Sequence, residues 1–233
     1  MNILVCVHAL KGESGNVPFR SSALDGAIQT AERIPGVRIT AVAMQAFDGA
    51  ELLRSSIALA ADEALLIQGS DTSPYDCVGL GTMLAEAVRV AERETGPVDA
   101  VFCGDGDPGQ DGLGPALAGC LGWPQVTGVS RVEADGAGLR VWRNWEEEWA
   151  LLQVGTPCVL SFLPSEDPAS YPQLSRLMAA NQAELPSRKV QTAPDLRQSL
   201  AFRPRPREKQ ISHGAAREDV ESVVQALADD RMI

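Results

Sequence analysis

The stretch Val98-Asp-Ala-Val-Phe-Cys-Gly-Asp-Gly-Asp-Pro-Gly-Gln-Asp-Gly-Leu-Gly-Pro115 runs from an apolar segment into a loop of glycines, carboxylates and prolines. Val98 to Cys103 reads as a buried strand, and a helix is expected to begin near Leu113. A strand that delivers a loop and then a helix brings helix N-terminal amides to the C-terminal edge of a parallel sheet. Glycines let the backbone approach a ligand, whereas Asp105, Asp107 and Asp111 would repel a free phosphate. The spacing favours nucleotide binding, and the charge restrains that reading.

Working outward from this loop, the same alternation recurs upstream. Ile3 to Val7 reads as a strand, and Ser21 to Ile34 as a helix with Ala23, Leu24, Ala27, Ile28, Ala31 and Ile34 on one face. Arg38 to Ala43 reads as the next strand. Asp48 is expected to cap the following helix with Glu51 as its reciprocal partner, and Ala64 to Ile67 returns to strand. Asp76 to Glu94 is a long amphipathic helix leading to the quoted stretch. This order predicts an α/β fold, with a mostly parallel nucleotide-binding sheet flanked by helices. Loops leaving the strand C termini then gather at one crevice, after Val7, after Met44, after Ile67 and across residues 104–114.

Downstream, Val126 to Val132 and Leu139 to Trp142 flank Asp135-Gly136 as a β-hairpin. Ala150 to Val154 and Pro157 to Leu163 follow as strands. Trp142, Trp145 and Trp149 surround three consecutive glutamates, which argues for packing or a subunit surface over stacking on nucleic acid. From Arg188 to Lys209 seven Lys or Arg face only Asp195 and Glu208, so this segment carries +5 and leaves −16 on the rest of a chain of net charge −11. With Pro194, Pro204 and Pro206 it reads as an extended arm, ahead of a helix over Arg217 to Ala228. The expected organisation is a domain over 1–187 and a basic arm with terminal helix over 188–233.

A chain of 233 residues, 45% of them hydrophobic, can bury a sizeable core. Its acidity opposes nonspecific binding to nucleic acid or anionic membrane. Cysteines 6, 77, 103, 120 and 158 are odd in number and unclustered, so buried free thiols in a reducing compartment are expected, with no metal site. No apolar run is long enough to span a membrane and the first residues enter a strand without a basic leader, so the expected location is the cytoplasm. Two histidines, His8 and His213, in unrelated contexts leave little for a catalytic triad.

Further segments carry an identity. Ile3-Leu-Val-Cys-Val7, Val17-Pro-Phe19, Ala60-Ala-Asp62, Gly112-Leu-Gly-Pro115, Leu121-Gly-Trp-Pro-Gln-Val-Thr127, Tyr171-Pro-Gln-Leu174 and Leu177-Met-Ala-Ala180 occur in this order. Together they resemble the beta subunit of electron transfer flavoprotein. The resemblance runs through nearly the whole chain. Two departures accompany it: Asp105 stands where the family usually has a basic residue, in a loop about two residues short, and Asn181-Gln-Ala-Glu184 replaces a Lys-rich run.

The resemblance implies a heterodimer with an FAD-carrying alpha subunit, passing electrons between a dehydrogenase or nicotinamide donor and a redox acceptor. It implies FAD held mainly by the alpha subunit, and either AMP or a second FAD in this chain. Flavin then does the electron chemistry, and no protein acid, base or nucleophile is required. The cofactor-binding candidates are Val7, His8 and Ala9 after the first strand, Met44 after the second, and Cys103, Gly104, Gly109, Gln110, Asp111, Gly112, Leu113 and Gly114. His8 takes a place where the family often has a basic residue, and a neutral imidazole there offers a directional hydrogen bond. Residues Asn181 to Arg188 are the implied contact for a dehydrogenase or reductase. Two alternatives stand beside this reading: a binding and scaffold subunit of the same fold without nucleotide, and a small ATP-dependent protein, the latter disfavoured by the absence of a Gly-x-x-x-x-Gly-Lys-Ser/Thr loop.

Overall fold

The computed structural model describes residues 1–7, 21–45, 48–69, 77–105, 112–136, 138–145, 148–165, 172–190 and 217–229. The chain divides into two units, Met1–Arg197 and Gln198–Ile233. In the first, the elements run β1 (Asn2–Cys6), α1 (Ser22–Arg33), β2 (Arg38–Met44), α2 (Gly49–Leu59), β3 (Glu63–Gln68), α3 (Cys77–Thr95) and β4 (Ala100–Gly104). They continue with α4 (Leu113–Leu121), β5 (Gln125–Asp135), β6 (Gly138–Trp145), β7 (Glu148–Gly155), β8 (Cys158–Phe162), α5 (Leu174–Gln182) and β9 (Ser187–Lys189). The second unit contains α6 (Arg217–Asp229), whose Val220, Val223 and Val224 are exposed.

The nine strands among the described residues form one sheet in the order β7-β6-β5-β8-β4-β1-β2-β3-β9. Only the β5–β6 and β6–β7 pairings are antiparallel, so the hairpin extends the same sheet. Strands at the centre read as continuous apolar runs because both their faces are covered. Ile3, Val5, Ala100, Phe102, Leu160 and Phe162 pack on one face with α1 and α2, while Leu4, Cys6, Val101, Cys103 and Val159 pack on the other with α3 and α4. Close approach is enabled by small residues: a Cβ at Gly26 of α1 would overlap the Phe162 ring.

Two expectations are corrected, and one further strand emerges. Asp48 does not cap α2 with its side chain, because it sits in the left-handed region at φ 52° rather than the extended conformation a capping side chain needs. Its carbonyl instead accepts the amides of Glu51 and Leu52 at 2.9 and 3.1 Å. Of the five cysteines, Cys6, Cys103 and Cys158 are buried, but Cys77 at the start of α3 is exposed and Cys120 is half-buried. Strand β9 was not expected at all: the three polar residues Ser187, Arg188 and Lys189 pair with β3 at the sheet edge, with no apolar alternation to register as a pattern. It runs through the boundary expected at residue 188.

Candidate functional site

Strand order fixes where a ligand can enter. The chain winds from β1 through β2 to β3, then returns across the sheet to place β4 on the other side of β1. Connections after β1 and β4 therefore leave to opposite faces, opening a crevice between the two strand ends. Val7 continues β1 and its amide donates to the Val42 carbonyl at 2.9 Å. Met44 ends the adjacent β2 and is buried on the α3/α4 face. Cys103 and Gly104 end β4.

Helix α4 approaches this edge through glycine. Gly112 at its N-terminal boundary has φ 74°, a left-handed conformation that other residues enter at a cost, and provides no side-chain cap. Its carbonyl accepts the Ala116 amide at 3.1 Å. Gly114 is buried in the first turn against β8, where a Cβ would overlap the Ser161 hydroxyl and come within 3.3 Å of Ser161 Cβ. With Leu113 fully buried, the first turn is seated firmly while its amides face the strand ends.

Asp105, the acidic residue in a place where a basic one was expected, is tied elsewhere. Its amide donates to the Phe162 carbonyl at 2.8 Å, and its Oδ2 accepts the Gly128 amide at 2.8 Å. Gly128 has φ 67° and lies where the pairing registers of β5 shift. An isolated glycine inside a strand pattern is the signal of such a bulge. The carboxylate thus joins the end of β4 to β5 and is engaged in the framework.

The structure brings Val7, Met44, Cys103, Gly104, Gly112, Leu113 and Gly114 to neighbouring strand ends and the α4 N terminus. His8, Ala9, Gly109, Gln110 and Asp111 lie outside the described residues, as do Asp107 and the arm over 191–216. Two buried thiols, Cys103 beneath the crevice and Cys158 at the opposite end of the strands, are held in the neutral form. The Cys103 thiol is held up by its hydrogen bond with Cys6, by burial and by the Cys6 charge. Burial, and secondarily the Asp99 carboxylate, push Cys158 up to about 12. Of the hairpin tryptophans, Trp142 packs under Arg131, whose Cζ is 4.9 Å from the ring centroid, whereas Trp149 is exposed.

A family profile described as "Electron transfer flavoprotein domain" matches residues 5–193. The chain belongs to the electron transfer flavoprotein family. It is 32% identical over 184 residues to the electron transfer flavoprotein subunit beta of Thermoanaerobacterium thermosaccharolyticum, covering 77% of this chain and 66% of that protein. The subunit beta of Megasphaera elsdenii is 27% identical over 176 residues, covering 73% and 64% of the two chains. The acryloyl-CoA reductase electron transfer subunit gamma of Anaerotignum propionicum is 27% identical over 199 residues, covering 76% and 72%. Against both subunit beta relatives, the matched part spans just under two thirds of their own length. In α5, within segments that carry the family resemblance, Leu174, Leu177 and Met178 are exposed, with Leu174 at 72%.

Proposed function

We propose that the chain serves as the beta subunit of an electron transfer flavoprotein, assembled with an FAD-carrying alpha subunit in the cytoplasm. In that role it takes part in passing electrons between a dehydrogenase or nicotinamide donor and a redox acceptor. The observation that supports this most is the reversal of strand order between β1 and β4, with the glycine-bounded N terminus of α4 beside it. The first-turn amides of α4 and the left-handed backbone at Gly112 fit the phosphate portion of a nucleotide. Val7, Met44, Cys103, Gly104 and Gly112 to Gly114, with His8, Ala9 and Gly109 to Asp111, are proposed as its boundary. The ligand is AMP or a second FAD, and flavin supplies the electron chemistry of the complex. The chain's own residues orient the ligand and exclude water from it.

Helix α5 is proposed as the contact for an external flavoenzyme of the dehydrogenase or CoA-thioester reductase type. Leu174, Leu177 and Met178 share one face at i, i+3 and i+4 spacing and are 72%, 40% and 57% exposed. An apolar face left in water on a nine-residue helix favours burial by a protein surface. The relative from Anaerotignum propionicum, named as an acryloyl-CoA reductase electron transfer subunit, supports that occupant. This face lies just ahead of the expected contact over Asn181 to Arg188.

Denaturing the purified complex and identifying the released small molecules tests the assignment. One flavin with one AMP supports the AMP-binding form, and two flavins support direct redox participation by this chain. Release of flavin without any nucleotide from the crevice would favour the scaffold alternative. ATP hydrolysis by a preparation devoid of flavin would replace the reading altogether.

A further inference from the structure

Helix α5 is held to the domain in an unusual way. Ala180 is the one residue buried within the helix, so hydrophobic packing anchors it weakly. Its C-terminal turn instead receives the guanidinium of Arg54 from α2, whose Nη1 donates to the carbonyls of Ala180, Asn181 and Ala183 at 2.8, 2.8 and 3.0 Å. In the other direction Arg176 of α5 donates through Nη1 to the carbonyl of Leu59, the last residue of α2, at 3.1 Å. Neither helix carries a basic residue in its own last turn. Each supplies the other's C-terminal cation, completing carbonyls that a helix end leaves unsatisfied and opposing its negative dipole end.

We propose that Arg54 and Arg176 are positioning residues for partner docking, forming a reciprocal clamp that orders α5 before the flavoenzyme arrives. This rests on the reading of α5 as the docking helix. Such a short helix is marginal on its own, so without the clamp its end frays and the Leu174, Leu177 and Met178 face loses its fixed spacing. Partner binding then bears the cost of ordering it, which lowers affinity without touching the electron-transfer step.

The test uses the full flavoprotein complex with purified acryloyl-CoA reductase as the probe, varying its concentration at fixed complex. Arg54→Gln is expected to speed amide hydrogen exchange over residues 177–183 about tenfold. The same variant is expected to raise the half-saturating reductase concentration about five- to tenfold while the saturated rate and flavin absorption spectrum stay unchanged. Arg54→Lys, which keeps the charge on a shorter stem that brings its single ammonium less fully to these carbonyls, falls between. Arg176→Gln is expected to shift half-saturation in the same direction. Leu174→Ser separates the two ideas. If Leu174→Ser leaves half-saturation unchanged, or the wild-type complex shows no saturation with the reductase, the docking reading fails and the clamp proposal with it. If Leu174→Ser weakens docking but Arg54→Gln loosens α5 without changing half-saturation, the clamp proposal alone is overturned. A saturated rate that falls in parallel with the loosening would also overturn it.

Discussion

Replacing Gly114 by Ala is the smallest change that tests how α4 is seated. The added Cβ would overlap Ser161 Oγ, lie 3.3 Å from Ser161 Cβ and touch Cys103 Cβ at an ordinary 3.9 Å. Ser161 is 3% exposed on the fully buried strand β8, so it has nowhere to retreat. Rotating its hydroxyl relieves the overlap but leaves the 3.3 Å contact, which requires α4 to shift by a few tenths of an ångström. Overpacking of this kind costs about 1–3 kcal/mol. For a domain of this size about 2 kcal/mol corresponds to a fall in Tm of roughly 4–8 °C. Ser161→Ala removes the overlapping atom, and in a double-mutant cycle the pair should recover about 1 kcal/mol relative to the sum of the single changes. Thermal melts of the four proteins measure this, and nucleotide released per complex shows whether the displaced first turn still holds its ligand. A Gly114→Ala protein melting with the wild type, or a strictly additive cycle, would refute the argument that this glycine seats α4 against β8.

Gly112→Val forces a β-branched residue to φ 74°, costing about 1–2 kcal/mol, and is expected to lower nucleotide stoichiometry, whereas Gly112→Asn should retain it; equal retention in both removes the conformational role. Asp105→Lys, which restores the basic residue type of the resembled family, strips the Gly128 amide of its acceptor and should destabilise by about 1.5–3 kcal/mol in a denaturant titration. In native alkylation, exposed Cys77 should label within minutes while Cys6, Cys103 and Cys158 do not. Because the Cys158 thiol is pushed up to about 12, its labelling should gain little until pH approaches that value, and modification of Cys158 at pH 8 would contradict the burial argument. Finally, we propose that α6 packs on the alpha subunit; burying Val220, Val223 and Val224 there at about 1 kcal/mol each implies that changing all three to Ser weakens association roughly a hundredfold, and undiminished copurification would refute that placement.

The central sheet was legible because β1, β2, β3 and β4 are covered on both faces and must read as apolar runs between helical periodicities. The crevice followed from the same order, since a parallel sheet collects its loops at one edge. What the sequence could not display was contact made by polar atoms across long separations. Asp105 looked like an obstacle to phosphate, yet its partner is a backbone amide 23 residues away that no pattern announces. Arg54 sits in α2 as an ordinary helical arginine, and only the placement of α5 makes it a cap for carbonyls about 130 residues later. Asp48 shows the reverse: its local pattern is that of a capping box, but the backbone enters α2 through a left-handed turn that puts the side chain out of reach of the cap. Cutting after Leu185 would remove β9 and the Pro186 carbonyl that accepts the Leu66 amide at 2.9 Å, so the sheet edge would be lost along with the arm.

The direction in which α5 is clamped separates docking from the redox ligand. Arg176 near the start of α5 meets the last carbonyl of α2, while Arg54 in the middle of α2 meets the end of α5, so the two helices run antiparallel. Helix α2 begins at the crevice edge, where Gly49 is packed so closely on Met44 that a Cβ would stand 2.7 Å from the Met44 carbonyl carbon. Its eleven residues span about 16 Å, which carries its other end, and with it the Leu174 end of α5, toward the opposite edge of the sheet. A partner gripping Leu174, Leu177 and Met178 is therefore held away from the proposed nucleotide boundary. On the proposed reading, docking at one edge sets how often an encounter is productive, while the groups at the other edge hold the nucleotide. That division is why changes to α5 are expected in half-saturation and changes at Gly112 or Gly114 in ligand content.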